Sequence, residues 1–327
     1  MEFTLLDSLP VDWAAWTLQN VIRGVAIADI QSALRLAGYD ESARELGGRA
    51  GFNASEAAAC TVRSLIVYRT ALLRRMYLRK QRNQPVERRE LDPSLFYSSY
   101  YFANEPVILA PLPTLEKLRL DWTFDYLSRR FGDILIEAQR GREGDPDYEI
   151  NFDKHREKMR LDGLIKLIED SGPNNDIYMC ANNRALDSEL SRMFGEIPDI
   201  DDLLEPKHAR GKTFLWMGPQ GTITPFHYDL MNVLLYQVHG RKSFVLAPPE
   251  ATPFMYNDVS VYSRVNYFGD RSQFPLFEGV PLKTGILHPG EALFIPVGWW
   301  HAIRAESKSI SLSFTNFLDA NEYRKVT

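Results

Sequence analysis

The chain has 327 residues, 45% of them hydrophobic and 25% charged, with a formal net charge of −5. That is enough for a substantial core in one large domain or two ordinary ones, and it offers no bulk positive charge for nucleic acid or an anionic membrane. The two cysteines, Cys60 and Cys180, lie too far apart for paired zinc spacing and give no disulfide framework. The opening "MEFTLLDSLPVDWAAW" lacks the basic start and apolar run of a secretory signal. No stretch approaches the roughly 18 apolar residues that span a bilayer, so a soluble protein of the reducing cytoplasm is expected.

In chain order, residues 1 to about 83 read as helix. "DIQSALRLAG" ends on a glycine suited to a helix C-terminus, and "SEAAACTVRSLIVYRTALLRRMYLRKQRN" carries Leu65, Tyr68, Leu72 and Met76 at helical spacing. The basic end of this second segment reads as a solvated face. "QPVERRELDPSL", with two prolines and a charge cluster, reads as a linker. The expected division is a helical region over 1–90 and a second domain over 91–327.

From residue 96 the elements are mixed: "PVILAP" as a strand, then "LDWTFDYLSRRFG" and "MRLDGLIKLIEDSG" as helices stopped at glycines. From about 212, short strands alternate with glycine and proline turns: "TFLWMG", "TPFHYD", "NVLLYQVHG", "KSFVLAPP", "TGILHPG", "EALFIP", "HAIRA" and "SISLSFTNF". Many short strands at such spacing predict a sandwich or barrel, so the fold class is α+β.

Chemistry concentrates in this part. Residues i and i+2 of a strand point to one side, so His227 and Asp229 can present an imidazole and a carboxylate to one point. Of the other histidines, His155 and His208 stand in charged, solvated segments, and His239 and His288 stand in turns. His301 follows the apolar "FIPVGWW" and begins a strand, next to a hydrophobic interior. Two imidazoles and one carboxylate with open positions form the facial triad of non-haem Fe(II) oxygenases. Lys242 shares a strand face with Phe244 and Leu246, where a buried ammonium calls for an anion. Asn316 closes the apolar row Ile310, Leu312, Phe314 and needs hydrogen-bond partners there.

These motifs, "TPFHYD", "QVHGRKSFVLAPP", "HPGEALFIPVGWWH" and "SISLSFTNF", with His301 falling 74 residues after His227, resemble the JmjC, or cupin-8-like, family of Fe(II)- and 2-oxoglutarate-dependent oxygenases over roughly 96–320. The layout is similar to the asparaginyl hydroxylase that acts on hypoxia-inducible factor and its bacterial relatives. The resemblance implies a double-stranded β-helix, or jelly roll. It also implies iron on His227, Asp229 and His301, and Lys242, Thr224 and Tyr178 on the far carboxylate of 2-oxoglutarate, with Asn316 near the cosubstrate. The asparagine often found four residues after the metal aspartate is Val233 here, with Asn232 immediately before it as the substitute. By the same resemblance O2 is consumed, succinate and CO2 are released, and a C–H bond of a peptide, protein or small molecule is hydroxylated. A homodimer through the N-terminal helices is a further expectation. Trp299, Trp300 and the insertion "EATPFMYNDVSVYSRVNYFGDRSQFPLFE" either line the way in or pack the core. Three other readings stay open: N-methyl-lysine demethylation, a non-catalytic ligand-binding cupin module, and a zinc or manganese cupin enzyme with no use for Lys242.

Overall fold

A computed structural model describes residues 25–48 and 84–321, except 181–184, 201 and 207–208, together with residues 9, 10, 13, 16, 17, 20, 72 and 323. The amphipathic helix expected over 55–83 lies, apart from Leu72, outside the described residues, as do Cys60 and His208. Packing divides the chain into Met1–Lys80 and Gln81–Thr327. Among the described residues no helix is long and apolar enough to cross a membrane.

In the first unit, α1 (Ile27–Leu36) and α2 (Asp40–Gly48) pack through Ile30, Leu34, Ala43 and Leu46. Gly38, at φ +88°, ends α1 in the left-handed region, and the Tyr39 amide returns to the Leu34 carbonyl at 2.9 Å.

In the second unit, period-two alternation builds two facing sheets. The strands are β1 (Gln84–Pro85), β2 (Glu87–Arg89), β3 (Val107–Leu109), β4 (Leu135–Gln139), β5 (Arg156–Arg160), β6 (Thr213–Gly218), β7 (Ile223–His227), β8 (Val233–His239), β9 (Lys242–Ala247), β10 (Lys283–Leu287), β11 (Ala292–Ile295), β12 (Trp300–Ala305) and β13 (Ser309–Phe314). One sheet runs β1-β10-β9-β12-β7 and the other β2-β3-β11-β8-β13-β6, with β4 and β5 as a separate pair. Between the sheets, Phe244, Leu246 and Ile303 from the first meet Leu235, Leu293 and Ile295 from the second. This is the jelly-roll arrangement of a cupin-like barrel.

The outer face of the six-stranded sheet is covered by α3 (Pro93–Phe96), α4 (Glu116–Asp121), α5 (Phe124–Phe131) and α6 (Leu161–Asp170). Alternation decides which side chains go where: Ile310, Leu312 and Phe314 of β13 join the helix-covered core, as do Leu234, Tyr236 and Val238 of β8. At α5 the Thr123 side chain caps the Tyr126 amide at 3.1 Å.

The segment "QPVERRELDPSL" corrects its reading as a linker. Gln84–Pro85 pairs in parallel with β10, and Glu87–Arg89 pairs in parallel with β3, each as an edge strand. Proline and charge are the residues that edge strands tolerate, so the composition that signals a linker also suits a sheet edge.

Candidate metal centre

His227 ends β7 and His301 lies at the start of β12, directly opposite it in the antiparallel pairing. Their rings stand 4.1 Å apart, centroid to centroid, and Nε2 of His301 lies 3.6 Å from Oδ2 of Asp229. One donor atom from each of the three falls within 4.8 Å of the others.

The imidazoles are aimed by the backbone. Nδ1 of His227 lies 2.9 Å from the Pro225 carbonyl, and Nδ1 of His301 lies 2.9 Å from the Trp299 carbonyl. Each carbonyl is two residues back and accepts a hydrogen bond from Nδ1–H, which leaves Nε2 with its lone pair free for a metal. Burial, with His227 next to it, pushes the His301 pKa down to about 4, so the ring is neutral at physiological pH. The Asp229 carbonyl accepts from the Gly298 amide at 3.0 Å, which ties the loop after β7 to the turn before β12. Two imidazole nitrogens and one carboxylate oxygen, an N,N,O set of this kind, fit Fe(II).

The three donors open onto a cavity of about 380 Å³ between the sheets, also lined by Lys242, Thr224 and Tyr178. Thr224 faces the cavity because of a bulge: it pairs with Ile303 while His227 pairs with His301, three residue steps on β7 against two on β12. Phe226 in between turns out against Tyr267 and Phe277.

Lys242, at the start of β9, is 3% exposed. Its Nζ lies 5.9 Å from the Tyr178 ring centre, and it has no ion-pair partner among the described residues. Burial pushes its pKa down to about 7. Burial also raises the pKa of Tyr178, with the neighbouring Thr224 side chain pulling the other way. A buried amine and two hydroxyls thus line the cavity, and neither of its carboxylates, Asp229 and Glu149, is paired with Lys242. A dicarboxylate would supply that partner, so the residues present fit both a metal and an acid cosubstrate.

Two of the expected cosubstrate residues do not line this cavity. Asn316 keeps the parity of Phe314 and faces away from it, where its Nδ2 donates to the Glu205 carbonyl at 3.0 Å. The inward positions on and after β13 are Ser313 and Thr315. Asn232 is buried between Met231 and Val233, which line the cavity in its place. Its Oδ1 accepts from the Val297 amide at 2.8 Å, and its backbone exchanges two hydrogen bonds with the Asn321 side chain. It is a clamp between chain segments. Trp299 and Trp300 are buried by packing, with their indole N–H groups on Asn104 and Thr252. The insertion after β9 does reach the cavity, through Val261 and Tyr262, and pairs along the exposed edge of β7.

Of the other histidines, His239 and His288 are exposed, whereas His155, expected to be solvated, is largely buried on Asp145 at 3.1 Å. Trp216, whose indole donates to Ser313 at 2.9 Å, and Glu149 also line the cavity. Strand parity in "TFLWMG" could have identified Trp216. Glu149 sits in an irregular segment without periodicity, so no pattern marked it.

The cupin-like domain family matches residues 93–318. Similar curated proteins include lysine-specific demethylase 8 of Xenopus tropicalis, 31% identical over 68% of this chain and 51% of that protein. Lysine-specific demethylase JMJ30 of Arabidopsis thaliana is 28% identical over 67% of this chain and 51% of its own length. HSPB1-associated protein 1 of Homo sapiens is 35% identical over 33% of this chain and 24% of its own length. The chain therefore spans about half, or less, of the length of these relatives.

Proposed function

The chain belongs to the JmjC cupin-like family of oxygenases that use Fe(II), 2-oxoglutarate and O2, and from that premise we propose that it is a hydroxylase. It oxidises a C–H bond of a peptide, a protein side chain or a small molecule, with succinate and CO2 as coproducts. His227, Asp229 and His301 would hold the iron, which with its cosubstrate and O2 supplies an oxidant able to attack a C–H bond.

The chain's own residues position the reactants. Lys242 neutralises the far carboxylate of the cosubstrate, and Thr224 and Tyr178 donate to it, so the acid meets the metal in one orientation. The Pro225 and Trp299 carbonyls hold the imidazoles in the tautomer that leaves Nε2 free. The apolar wall of Ile295, Ile303 and Leu235 keeps bulk water out.

The observation that carries this reading is Lys242, a buried amine with no ion-pair partner among the described residues, which lines the same cavity as three metal-ligand side chains. A metal-binding module or a zinc cupin enzyme has no use for it. The test is succinate formation from 2-oxoglutarate with Fe(II) and ascorbate under air. Turnover that stops when iron is withheld is expected, and none at all in the iron-loaded protein overturns the reading.

A second reading draws on the names of two relatives, both lysine-specific demethylases. The same C–H oxidation on an N-methyl group yields formaldehyde, whereas hydroxylation leaves a product heavier by one oxygen atom. Measuring both separates the two.

A further inference from the structure

Arg142, in the segment between β4 and β5, is completely buried. Its Nη2 donates to the Ile223 carbonyl at 2.9 Å and to Oε1 of Glu149 at 2.9 Å, whereas Nε and Nη1 have no hydrogen-bond partner. Its other contacts are with aromatic rings: the guanidinium carbon lies 4.2 Å from the ring centre of Tyr148 and 5.0 Å from that of Tyr178.

For the fold alone this is an unfavourable arrangement. Taking a guanidinium out of water is costly, two of its three nitrogens find no partner, and a well-packed apolar pair in place of Arg142 and Glu149 would fill the space at least as stably. What Arg142 touches points to another task. Tyr178 and Thr224, the residue after Ile223, line the metal cavity together with Lys242, whose Nζ lies 5.9 Å from the same Tyr178 ring.

Arg142 holds these two in different ways. β7 is the last strand of its sheet, so the ladder holds Ile223 from one side only. A second hold comes from outside the ladder. The Ile223 carbonyl, in the same peptide plane as the Thr224 amide, accepts from Arg142 and from the Tyr148 hydroxyl at 3.1 Å, and the Ile223 amide donates to Oδ1 of Asn175 at 2.8 Å. Tyr178 pairs through its backbone with Gln139, on the strand that leads to Arg142, and the guanidinium lies against its ring. The ring has no room to retreat towards β6, because it lies so close to Gly218 that a Cβ there would come within 2.9 Å of it.

We propose that Arg142 is a positioning residue for the cosubstrate: by holding the Tyr178 ring and the Ile223 carbonyl at once, it fixes the spacing of the Tyr178 and Thr224 hydroxyls so that both donate to one carboxylate of 2-oxoglutarate beside Lys242. Glu149 balances the charge of Arg142, so the pair stiffens that end of the cavity without changing its net charge. This rests on reading that end as the 2-oxoglutarate site, and it adds the residue that sets the geometry there.

The experiment measures the 2-oxoglutarate Kd by anaerobic titration of the iron-loaded full chain, with iron content and melting temperature recorded for each protein. Arg142→Lys keeps a charge against Glu149 and loses the planar fork that reaches Ile223 and covers Tyr178. Arg142→Met with Glu149→Leu replaces the ion pair by apolar groups of similar size, a change that folds tolerate well. It also removes a negative charge from the cavity wall, which alone would favour a dicarboxylate. Each change is repeated in a Tyr178→Phe, Thr224→Val background, where both hydroxyls are gone. With iron content unchanged, Kd should rise about 10-fold in either Arg142 variant, as it does when a partner that orients a binding group is lost. In the background without hydroxyls the same changes should raise Kd by less than about twofold, because effects exerted through one contact do not add. A general loosening of the structure would weaken binding equally in both settings. A Kd within about twofold of the parent in a folded Arg142 variant, or an equal rise in the background without hydroxyls, overturns the proposal. Failure of both Arg142 variants to fold makes the residue an element of the fold and overturns it as well. A parent that binds no 2-oxoglutarate in the presence of iron brings down the cosubstrate reading itself, and the proposal with it.

Discussion

Thr224 and His227 face one cavity across three residues because the strand that carries them is bulged against its partner. Without the bulge, residues three apart would point to opposite sides, and the proposed metal ligand and the proposed cosubstrate donor could not share a site. Thr224→Val keeps the shape of the side chain and removes its hydroxyl. The Kd for 2-oxoglutarate should rise about 5- to 10-fold, the worth of one hydrogen bond, with iron content unchanged. Calorimetry on the metal-loaded variant measures this, and an unaltered Kd would detach Thr224 from the cosubstrate.

Asp229 is the one carboxylate among the three ligand-type side chains. Asp229→Ala should weaken iron binding by roughly 100-fold or more, since even the partners that merely orient a ligand cost 10- to 100-fold. Metal analysis after dialysis against a weak chelator reads the loss. Full retention of iron would place the metal elsewhere.

Lys242 ties the site to stability and pH. Burial holds its pKa at about 7 against an ordinary 10.5, so between these values the unfolded chain binds the proton that the folded chain has released. Stability from this group therefore rises with pH across that window, and the full cost of the buried ammonium is present below it. Without ligand, Lys242→Met should melt higher than the parent at about pH 7, and the gap should shrink towards pH 10. Thermal melts of both proteins over this range decide the matter; a gap that does not change with pH contradicts it.

Asn232 does not line the cavity, and its Oδ1 holds the Val297 amide. Asn232→Ala leaves the Val297 amide without its acceptor, which should cost about 1–3 kcal/mol of stability. The 2-oxoglutarate Kd of the folded fraction should stay within about twofold, because the lost side chain does not line the cavity. A large change in Kd with stability intact would return Asn232 to the cosubstrate.

What could be read from the chain followed periodicity. The eight strands from residue 212 onward and the position of Lys242 on an inward face follow from side chains alternating every two residues, whereas His227, Asp229 and His301 meet because β7 pairs with β12 and Asp229 stands in the loop just after β7 rather than on the strand itself. Parity also shows why Asn316 points away: the row Ile310, Leu312, Phe314 is apolar because helices cover it, and the barrel interior is lined by the alternate Ser311, Ser313 and Thr315. An apolar row alone cannot say which of two buried faces it occupies. The bulge in β7 leaves no periodic trace, and Glu149 and Tyr262 come from irregular segments that only tertiary packing brings to the cavity.

The central claim is that the His–Asp–His cluster and Lys242 form a single site for a metal and a dicarboxylate. Its most direct test is anaerobic titration of 2-oxoglutarate into Fe(II)-loaded protein, followed by the visible charge-transfer absorption of the complex, for the parent and for Lys242→Met. The parent should bind and develop the absorption only when iron is present, and Lys242→Met should keep its iron while losing most of its affinity for 2-oxoglutarate. Equal affinity in the two proteins, or binding without metal, would contradict the account.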